Sequence, residues 1–336
     1  MSTNSKKKRG KGFACMFYPG GPTWASSPSA AYLKVEQDGS VRLLTGAVDL
    51  GQGSSVALAQ IAAQELGVRF ERVKLVEGDT GVFPYDAGTV GSRVTLYAGW
   101  AVKNAACQAR EQILRGASLK LGIEPKFLLI DQEAVYVQGN SGPSMSYEAA
   151  VDACYKMGIL PVGLGWYSAI NYKSKDSPVT GVSCPTFIYG AQCAEVEVDC
   201  ETGEVTVLKL YVVHDCGKAI NPLLIEGQLH GAAAMGLGYA ILEEMVHSVE
   251  GKVLNPSFRD YIIPTAADVP DVECSVVEVE DPNGPFGAKG IAEPALLPTA
   301  PAIVNAIYDA VGVLITELPV TPEKILRELK KKESEK

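Results

Sequence analysis

Several stretches of the chain alternate apolar and polar residues with a period of two, which predicts β-strands. Residues 192–199 show this pattern clearly, because one set of alternate positions is largely apolar and the other is largely acidic, as in a half-exposed strand. The turn Asp38-Gly39 separates the first two predicted strands. In chain order, the predicted strands cover residues 31–37, 41–48, 73–76, 134–138, 166–172, 187–199 and 205–214.

Apolar residues that recur every three to four positions predict helices between these strands. Gly67 follows the first helix as a C-terminal cap, and Pro322 opens the last helix after Thr321. The helix predicted over 222–242 contains Gly227, Gly231, Gly236 and Gly238, which each cost about 1 kcal/mol against alanine, so we expect another backbone to pack closely against it. The predicted helices cover 54–66, 94–114, 146–157, 222–242, 300–311 and a last segment from 322.

The order of these elements is mixed, without a regular alternation of strand and helix. This order predicts an α+β fold rather than a doubly wound nucleotide-binding sheet. With 336 residues the chain is long enough for two domains, and the Gly- and Pro-rich segment 158–165 is the expected boundary. We therefore predict an N-terminal arm over residues 1–30, a first mixed α/β subdomain over 31–162 and a second over 163–336.

Composition and charge narrow the class of partner. Apolar residues make up 47% of the chain and charged residues 21%, as in a well-packed globular protein. The net charge of −9 argues against a nucleic-acid partner, and the basic run Lys6 to Arg9, with Lys11, is expected to be a solvated tail. There is no signal-peptide pattern, and the longest uncharged stretch, Leu229 to Leu242, is too short to span a membrane. A cytoplasmic protein is therefore expected.

The cysteines and histidines do not have the spacing of a metal site. The chain contains 8 cysteines and 3 histidines, and no two cysteines form a CxxC pair. Most of the cysteines are expected to be small buried side chains in a reducing compartment. We therefore expect no metal to be held directly by protein side chains.

The segment Gly287-Ala288-Lys289-Gly290-Ile291-Ala292-Glu293-Pro294 places one carboxylate on a Gly-rich loop, just before a helix start punctuated by prolines. Glycines permit close approach of a ligand or backbone, and the prolines stiffen the chain that follows. Such a loop is expected to hold Glu293 in place and away from water, where a carboxylate is suited to accept a proton near neutral pH. The residues alone equally allow a glutamate that caps the helix beginning near Thr299.

Four loops combine glycine with glutamine, hydroxyl or charged residues. The first two precede predicted helices, whose free N–H groups form ready anion sites. Glutamine offers donors and acceptors to the edge of a heterocycle, and Arg93 has the geometry for bidentate pairing with a phosphate. Ordinary turn glycines and helix caps would explain any one of these loops alone. The loops are Gly51-Gln52-Gly53-Ser54, Gly88 to Arg93, Gly227-Gln228 and Gly287 to Glu293.

Taken in order, four segments resemble the second molybdopterin-binding domain of the xanthine dehydrogenase and aldehyde oxidase family of molybdenum hydroxylases. These segments are TGAVDLGQGS, DAGTVGSRVT, DCGKAINPLLIEGQLHGAAAMGLG and GPFGAKGIAEPALLPTAPAIVNAIYDAVG, and the similarity extends from about Tyr32 to Leu326. The resemblance implies a molybdenum–molybdopterin cofactor, which in bacteria often has the cytosine dinucleotide form. It also implies hydroxylation of an electron-poor aromatic N-heterocycle, nicotinate-like or purine-like, with oxygen that derives from water.

The same resemblance implies roles for individual residues. Glu293 falls on the position of the family's catalytic base. Phe17 and Tyr18 lie just upstream of the first cofactor loop, and they are candidates either for an aromatic substrate pocket or for core residues at a subunit boundary. The positions at which the family contacts the pterin and its phosphates are Gly51, Gln52, Gly53, Gly91, Ser92, Arg93, Gln228, Gly290 and Ile291.

Full-length members of this family also contain a preceding half of the molybdenum subunit, together with flavin and iron–sulfur domains. The sequence lacks these parts and is similar to the medium molybdopterin subunit of nicotinate dehydrogenase. This similarity implies three kinds of partner chain, which are a large molybdopterin subunit, an FAD subunit and a [2Fe-2S] subunit. Two alternatives stay open, a carbon monoxide dehydrogenase-type subunit and a non-catalytic assembly or cofactor-carrying paralogue. The second is suggested by Ala292, which stands where the family usually has glycine, and by the missing half of the molybdenum subunit.

Overall fold

The computed structural model describes residues 6–21, 27–139, 142–169 and 184–334. Strands β1 to β11 are Lys7–Pro19, Ser29–Val35, Val41–Thr45, Val73–Val76, Leu128–Asp131, Ala134–Val137, Met145–Ser146, Val162–Tyr167, Phe187–Asp199, Val205–Asp215 and Asp271–Val277. Helices α1 to α6 are Ser54–Leu66, Val94–Leu121, Tyr147–Lys156, Pro222–Ile241, Thr299–Val311 and Pro322–Ser334. One-turn 3-10 helices at Pro285–Gly287 and Glu293–Leu296 lie at the two ends of the Gly-rich loop that leads to Glu293.

The first sheet has the strand order β4-β3-β2-β8 and packs against helices α1 and α2. Strand β2 is antiparallel to β3 and β8, whereas β3 and β4 are parallel. Leu33 on β2 and Leu43 on β3 are fully buried in a core that they share with Ile61 of α1. A Cβ on Gly163 of β8 would lie 1.9 Å from the carbonyl oxygen of Ala105, so α2 lies directly on this strand.

The second sheet has the strand order β1-β9-β10-β11 and packs against helices α4 and α5. Its first strand corrects the prediction of a solvated basic tail, which is wrong for the described residues. Strand β1 begins at Lys7 and pairs with β9 in antiparallel register along its whole length. Glu197 on β9 pairs with Lys7 and Arg9, and Glu195 pairs with Lys11. These cross-strand carboxylates balance the positive charges that indicated a solvated tail.

Most predicted elements are confirmed, with shifts at their ends. Helix α1 ends as predicted, because Gly67 adopts the left-handed conformation at φ 71°. Helix α2 continues to Leu121 rather than to residue 114. Strand β8 begins at residue 162 rather than 166 and pairs with β2, which places it in the first sheet although the predicted boundary lies at 162/163. Residues 170–172 of that predicted strand lie outside the described residues.

The architecture confirms the α+β class, because the sheets combine antiparallel and parallel pairs without a regular alternation with helices. A small third sheet, β5-β6-β7, precedes helix α3, whose residues belong to the first core. Strands β1, β5, β7 and β11 were not predicted from the sequence. The division into two subdomains at 162/163 stays a prediction. In the part of the chain that the structure describes, no helix is long and apolar enough to cross a membrane.

Candidate active site

Loops attached to both cores meet at one cleft of about 450 Å³, a volume typical of small-molecule and cofactor sites. Most of the lining comes from residues 50–54, which enter α1, residues 89–95, which enter α2, the first turns of α4, and residues 288–293. Cys216, Lys218 and Ile220 also line it. The four loops predicted from the sequence therefore converge. The predicted residues that line the cleft are Gly51, Gln52, Gly53, Ser92, Arg93, Gln228, Gly290, Ile291 and Glu293.

Three donors hold the Glu293 carboxylate. The backbone N–H of Gly91 donates to Oε1 at 3.2 Å, Ser92 Oγ donates to Oε2 at 2.7 Å, and the Tyr18 hydroxyl donates to Oε2 at 3.3 Å. Glu293 is therefore fixed, as predicted, and it does not cap α5, which begins at Thr299 without a side-chain cap. Among the described residues Glu293 is nevertheless exposed. The expectation that it is shielded from water is therefore wrong for this chain by itself.

Backbone geometry brings the Glu293 loop and the α2 loop into contact. A Cβ on Gly290 would lie 1.9 Å from the carbonyl oxygen of Ser92, so only glycine permits this approach. Ser92 itself has φ 52°, an uncommon conformation for a residue other than glycine. Ala292, by contrast, has φ −67°, and its methyl group requires no unusual backbone. The alanine before Glu293 is therefore compatible with the loop.

The loop before α1 is organised by its own side chains. Asp49 accepts hydrogen bonds from the backbone N–H groups of Gly51 at 2.7 Å, Gly53 at 3.2 Å and Ser55 at 3.0 Å. Although burial opposes ionisation, these N–H groups hold the pKa of the Asp49 carboxyl below its usual range. The Asp49 carboxylate therefore binds the N–H groups at the start of α1, for which the sequence predicts a ligand anion. It was missed because an aspartate in a turn carries no distinctive sequence signal.

Gln52 bridges the same loop internally. Its Oε1 accepts from the Leu50 backbone N–H at 2.6 Å, and its Nε2 donates to Ser54 Oγ at 2.8 Å. The side chain lines the cleft, but its polar atoms already have partners within the loop. A ligand that bonds to Gln52 would therefore exchange with one of these hydrogen bonds.

The structure contradicts the predicted phosphate contact of the Arg93 guanidinium. The side chain is fully buried, and its Nη1 lies 2.8 Å from Asp86 Oδ1. Its Nη2 donates to the carbonyl oxygen of Ser27 at 2.9 Å and to the hydroxyl of Ser29. Arg93 therefore fastens the start of α2 to the segment before β2. The sequence suggested a free cation because Asp86 lies seven positions earlier on a loop, where pairing cannot be foreseen.

The first turn of α2 keeps the predicted capacity for an anion. Arg93 precedes the helix without a side-chain cap, so among the described residues the first N–H groups of the helix have no side-chain cap. Val94 and Thr95, the first two helical residues, line the cleft. An anionic group at this end of the cleft would face the positive end of the helix dipole.

A buried ion pair fixes the other end of the Glu293 loop. Lys289 Nζ lies 2.6 Å from Asp215 Oδ2, and the two side chains are 8% and 11% exposed. Lys289 Nζ also donates to the carbonyl oxygen of Phe187 at 3.0 Å. The Lys289 backbone N–H donates to the carbonyl oxygen of Cys216 at 2.9 Å. These contacts attach the loop to the end of β10. Neither Lys289 nor Asp215 was selected from the sequence, because their separation along the chain hides the pairing.

His214 lies beside this ion pair and is buried, with no hydrogen-bond partner for Nε2 among the described residues. Burial lowers the pKa of His214 to about 4; Asp215 acts against this shift and Lys289 adds to it. His214 is therefore neutral near pH 7. Cys216, which lines the cleft, is a neutral thiol for a related reason, since burial raises its pKa to about 11.

Of the two aromatic residues predicted near the substrate, only Tyr18 reaches Glu293. Neighbouring side chains on a strand point to opposite faces, and β1 includes both residues. Phe17 packs near Phe187, with ring centroids 6.1 Å apart, and lies outside the cleft lining. Burial, together with the Glu293 charge, raises the pKa of Tyr18 to about 12, so its hydroxyl stays a donor.

The glycines of α4 divide into two groups. A Cβ on Gly236 would lie 2.4 Å from Thr299 Cβ, and one on Gly238 would lie 2.7 Å from Pro264 Cδ, so these two glycines pack closely, but against side chains rather than against the predicted backbone. Gly227 and Gly231 have open space around them in the described chain. Close packing therefore explains only half of the glycines on this helix.

Comparison with known proteins identifies the family. Residues 1–270 match the family model described as the molybdopterin cofactor-binding domain. The chain belongs to the molybdopterin cofactor-binding domain family. It is 36% identical over 327 residues to the xanthine dehydrogenase molybdenum-binding subunit of Escherichia coli O157:H7, an alignment that covers 96% of the chain and 42% of that protein. The chain therefore spans less than half the length of this relative.

Solved structures agree with this membership. Quinoline 2-oxidoreductase from Pseudomonas putida 86 matches with a TM-score of 0.87 and 28% identity, over 97% of the chain and 42% of that protein. The Cu,Mo-CO dehydrogenase in its carbon monoxide reduced state matches with a TM-score of 0.85 and 27% identity, again over 97% and 42%. The α+β fold is therefore that of a molybdopterin-binding domain from the xanthine dehydrogenase, carbon monoxide dehydrogenase and aldehyde oxidoreductase family.

Proposed function

We propose that this chain is the molybdopterin-binding subunit of a multi-subunit molybdenum hydroxylase that acts on an aromatic N-heterocycle, nicotinate-like or purine-like. The observation that carries the proposal is the convergence of Gly-rich loops on one cleft that holds a fixed carboxylate, Glu293. Family membership supports the cofactor. Similarity to proteins named for xanthine and quinoline supports a heterocyclic substrate.

The residues that line the cleft fit a pterin with phosphate groups. Hydroxyl and amide side chains supply neutral donors and acceptors, as the edge of a heterocycle requires. The uncapped first turn of α2 suits a phosphate. Among the described residues, no cluster of His, Cys, Asp or Glu could hold a metal, so molybdenum would be carried by the pterin. The neutral polar side chains of the lining are Gln52, Ser54, Thr89, Ser92, Thr95, Asn221 and Gln228.

The positions of the cationic side chains determine which of them could bind the phosphate groups of a cofactor. Arg93 and Lys289 are committed to buried carboxylates. Lys218 lies 3.1 Å from Glu278 Oε1 but is about half exposed, so it is the lysine of the lining that can turn toward a ligand. The remaining negative charge of a cofactor in cytosine dinucleotide form would therefore be met by backbone N–H groups and by a partner chain.

Glu293 is the proposed general base. The bound cofactor would supply the oxygen-transfer and electron-accepting chemistry. Glu293 takes up the proton released as oxygen is transferred to an electron-poor ring carbon, a step in which a well-placed base contributes at least about a hundredfold. Gly91, Ser92 and Tyr18 orient the carboxylate for this transfer. The glycine contact between residues 290 and 92 sets the distance between the base loop and the α2 loop.

A second chain is proposed to complete the cleft. The chain covers only 42% of the xanthine dehydrogenase subunit and of quinoline 2-oxidoreductase, which leaves more than half of those proteins without a counterpart here. Leu50 and Val90 line the cleft yet are 73% and 43% exposed. Apolar side chains at a ligand cleft are expected to be covered in the assembled enzyme. We propose a large molybdopterin subunit in this position, with FAD and [2Fe-2S] clusters on further chains.

A carbon monoxide dehydrogenase-type subunit is the second candidate, because the CO dehydrogenase structure matches almost as well as that of quinoline 2-oxidoreductase. A non-catalytic paralogue loses one of its two motives, since Ala292 fits the loop at a negative φ. The two catalytic candidates differ in substrate, and the same purified complex distinguishes them.

The proposal is tested on the chain purified through a C-terminal tag together with the chains that accompany it. We expect molybdenum and a cytosine nucleotide in the complex, and reduction of a redox dye that depends on an N-heterocycle. Nicotinate, hypoxanthine and quinoline are offered separately, and carbon monoxide is the alternative substrate. A complex without molybdenum, or one that reduces the dye only with carbon monoxide, would contradict the heterocycle assignment.

A further inference from the structure

We propose that Ser92 and Tyr18 are positioning residues that hold the Glu293 carboxylate in one orientation and leave Oε1 as the oxygen that receives the proton. This inference rests on the proposed role of Glu293. It gives both residues a role different from that implied by the family resemblance, in which Ser92 contacts the cofactor and Tyr18 the substrate.

Ser92 grips Glu293 at two points. Its hydroxyl donates to Oε2 at 2.7 Å, and the same oxygen accepts the Glu293 backbone N–H at 3.0 Å. Both the side chain and the backbone of Glu293 are thereby tied to the loop that opens α2. A single hydroxyl that bonds both the backbone and the carboxylate of one residue restricts rotation of that side chain more than either bond alone.

The hydrogen bonds are distributed unequally over the two carboxylate oxygens. An ionised carboxylate offers about two acceptor sites on each oxygen. Oε2 uses both sites, for the hydroxyls of Ser92 and Tyr18, whereas Oε1 receives only the Gly91 N–H at 3.2 Å. Oε1 therefore keeps a free acceptor site. Among the contacts that the described residues make with this carboxylate, only that site remains for an incoming proton.

The backbone of Ser92 is held in a costly conformation. Its φ of 52° is in the left-handed region, which residues with a side chain rarely adopt. Two contacts maintain it. The neighbouring Arg93 is anchored to buried Asp86, and Gly290 packs against the Ser92 carbonyl oxygen. A strained residue that persists at a functional loop, with its side chain on the catalytic carboxylate, indicates that the conformation serves that contact.

Tyr18 supplies the second hydroxyl donor to Glu293 and lies on a strand of the second sheet. It lies near the end of β1, which pairs with β9, so its hydroxyl links the second sheet to the loop that carries Glu293. Because its pKa is raised to about 12, Tyr18 stays protonated over the working range of an enzyme and cannot itself serve as a base there. The Tyr18 hydroxyl therefore remains a hydrogen-bond donor to Glu293 Oε2.

The test uses Ser92→Ala and Ser92→Gly as a matched pair, with Tyr18→Phe as a third variant. Both serine variants remove the hydroxyl, but only glycine relieves the positive φ. Loss of the contact should therefore affect both equally, whereas a purely structural role would make the glycine variant resemble wild type. Tyr155→Phe is the control for tyrosine, since the Tyr155 hydroxyl donates to the Val35 carbonyl oxygen in the first core.

The first readout is amide hydrogen exchange of the chain with its partners, which does not depend on turnover. The Glu293 N–H donates to Ser92 Oγ, so we expect its exchange to become at least about tenfold faster in both serine variants and to stay unchanged in Tyr18→Phe and Tyr155→Phe. Unchanged protection of this amide in both serine variants would overturn the proposed grip.

The second readout is the separate measurement of kcat and KM for the molybdenum-loaded complex. The donors orient the proposed base and do not bind the substrate, so kcat should fall at least about tenfold in Ser92→Ala, Ser92→Gly and Tyr18→Phe, whereas KM should stay within a few-fold of wild type. Tyr155→Phe should leave both constants unchanged. An unchanged kcat in the three variants would refute the positioning role. Undiminished turnover of Glu293→Gln would instead refute the base assignment itself.

Discussion

Replacement of either partner in the Lys289–Asp215 ion pair should destabilise the second core more than almost any other single change. Lys289→Met leaves the Asp215 carboxylate buried with only its backbone contact to Gly217. Asp215→Asn leaves the Lys289 ammonium buried with one carbonyl partner, that of Phe187. In both variants an uncompensated charge stays in a site that is about nine-tenths buried.

The expected magnitude follows from this burial. Removal of one member of a buried ion pair costs about 3–5 kcal/mol, because the other charge remains desolvated. With a urea dependence of about 2 kcal/mol per molar, each single variant should unfold at about 1.5–2.5 M less urea. The double variant Asp215→Asn/Lys289→Met leaves neither charge, so it should recover most of the lost stability. The loss of stability in the double variant should be smaller than the sum of the two single losses by more than about 2 kcal/mol.

The assay must resolve the two cores, since a chain with two cores need not unfold in one step. Pulsed hydrogen exchange at a series of urea concentrations, read by mass spectrometry, gives a separate midpoint for each peptide. Peptides from β10, which contains Asp215, should show the lowered midpoint. Peptides from the middle of α2, whose buried residues belong to the first core, should keep the wild-type value.

Two results would refute this reasoning. Single variants whose β10 midpoint lies within about 0.3 M of wild type would show that the pair is not desolvated as the structure indicates. A double variant that is as unstable as the sum of the single variants would show that the two side chains act independently, and the ion pair would then not be the anchor of the Glu293 loop.

Three further changes have definite expectations. Gly290→Ala places a methyl group against the Ser92 carbonyl oxygen, so it should cost about 1–3 kcal/mol in urea unfolding and reduce the molybdenum that co-purifies. Ala292→Gly should change stability by less than about 1 kcal/mol and keep turnover within a few-fold of wild type, because φ is −67°. His214 has a folded pKa of about 4, below its unfolded value of about 6.5, so its contribution is complete above pH 6.5 and is lost as the pH falls toward 4. Between pH 7 and pH 4.5 the wild type should therefore lose up to about 3 kcal/mol of unfolding free energy through His214, and His214→Phe should lack this loss when urea unfolding is measured at both pH values.

The sequence predicted the parts of the site that depend on local chemistry. Glycine runs before helix starts marked the loops at residues 51–54 and 88–93, and both line the cleft. The lone carboxylate between glycine and proline marked Glu293, which the structure fixes with three donors. The end of α1 at Gly67 and the start of α6, with Thr321 as its cap and Pro322 as its first residue, were also predictable, because capping preferences act within one turn.

The parts that the sequence did not predict depend on contacts between distant segments. The sequence predicts a solvated tail where strand β1 forms, because the carboxylate that pairs with Lys7 and Arg9 lies on β9, about 190 positions away. Arg93 was assigned to a phosphate because its partner Asp86 and the carbonyl oxygens around it are assembled only by folding. The same holds for Lys289, whose role depends on Asp215 at the end of another strand. Charge alone does not distinguish a buried structural ion from a ligand-binding one.

The most direct test of the proposed base is the turnover of Glu293→Gln in the purified complex, with molybdenum content measured on the same sample. Glutamine keeps the size of the side chain but cannot accept the proton, so we expect wild-type molybdenum and a loss of at least about a hundredfold in heterocycle-dependent dye reduction. Glu317→Gln, an exposed carboxylate outside the cleft lining, is the control and should match wild type. Turnover of Glu293→Gln within a few-fold of wild type, at full molybdenum loading, would contradict the assignment of Glu293 as the base.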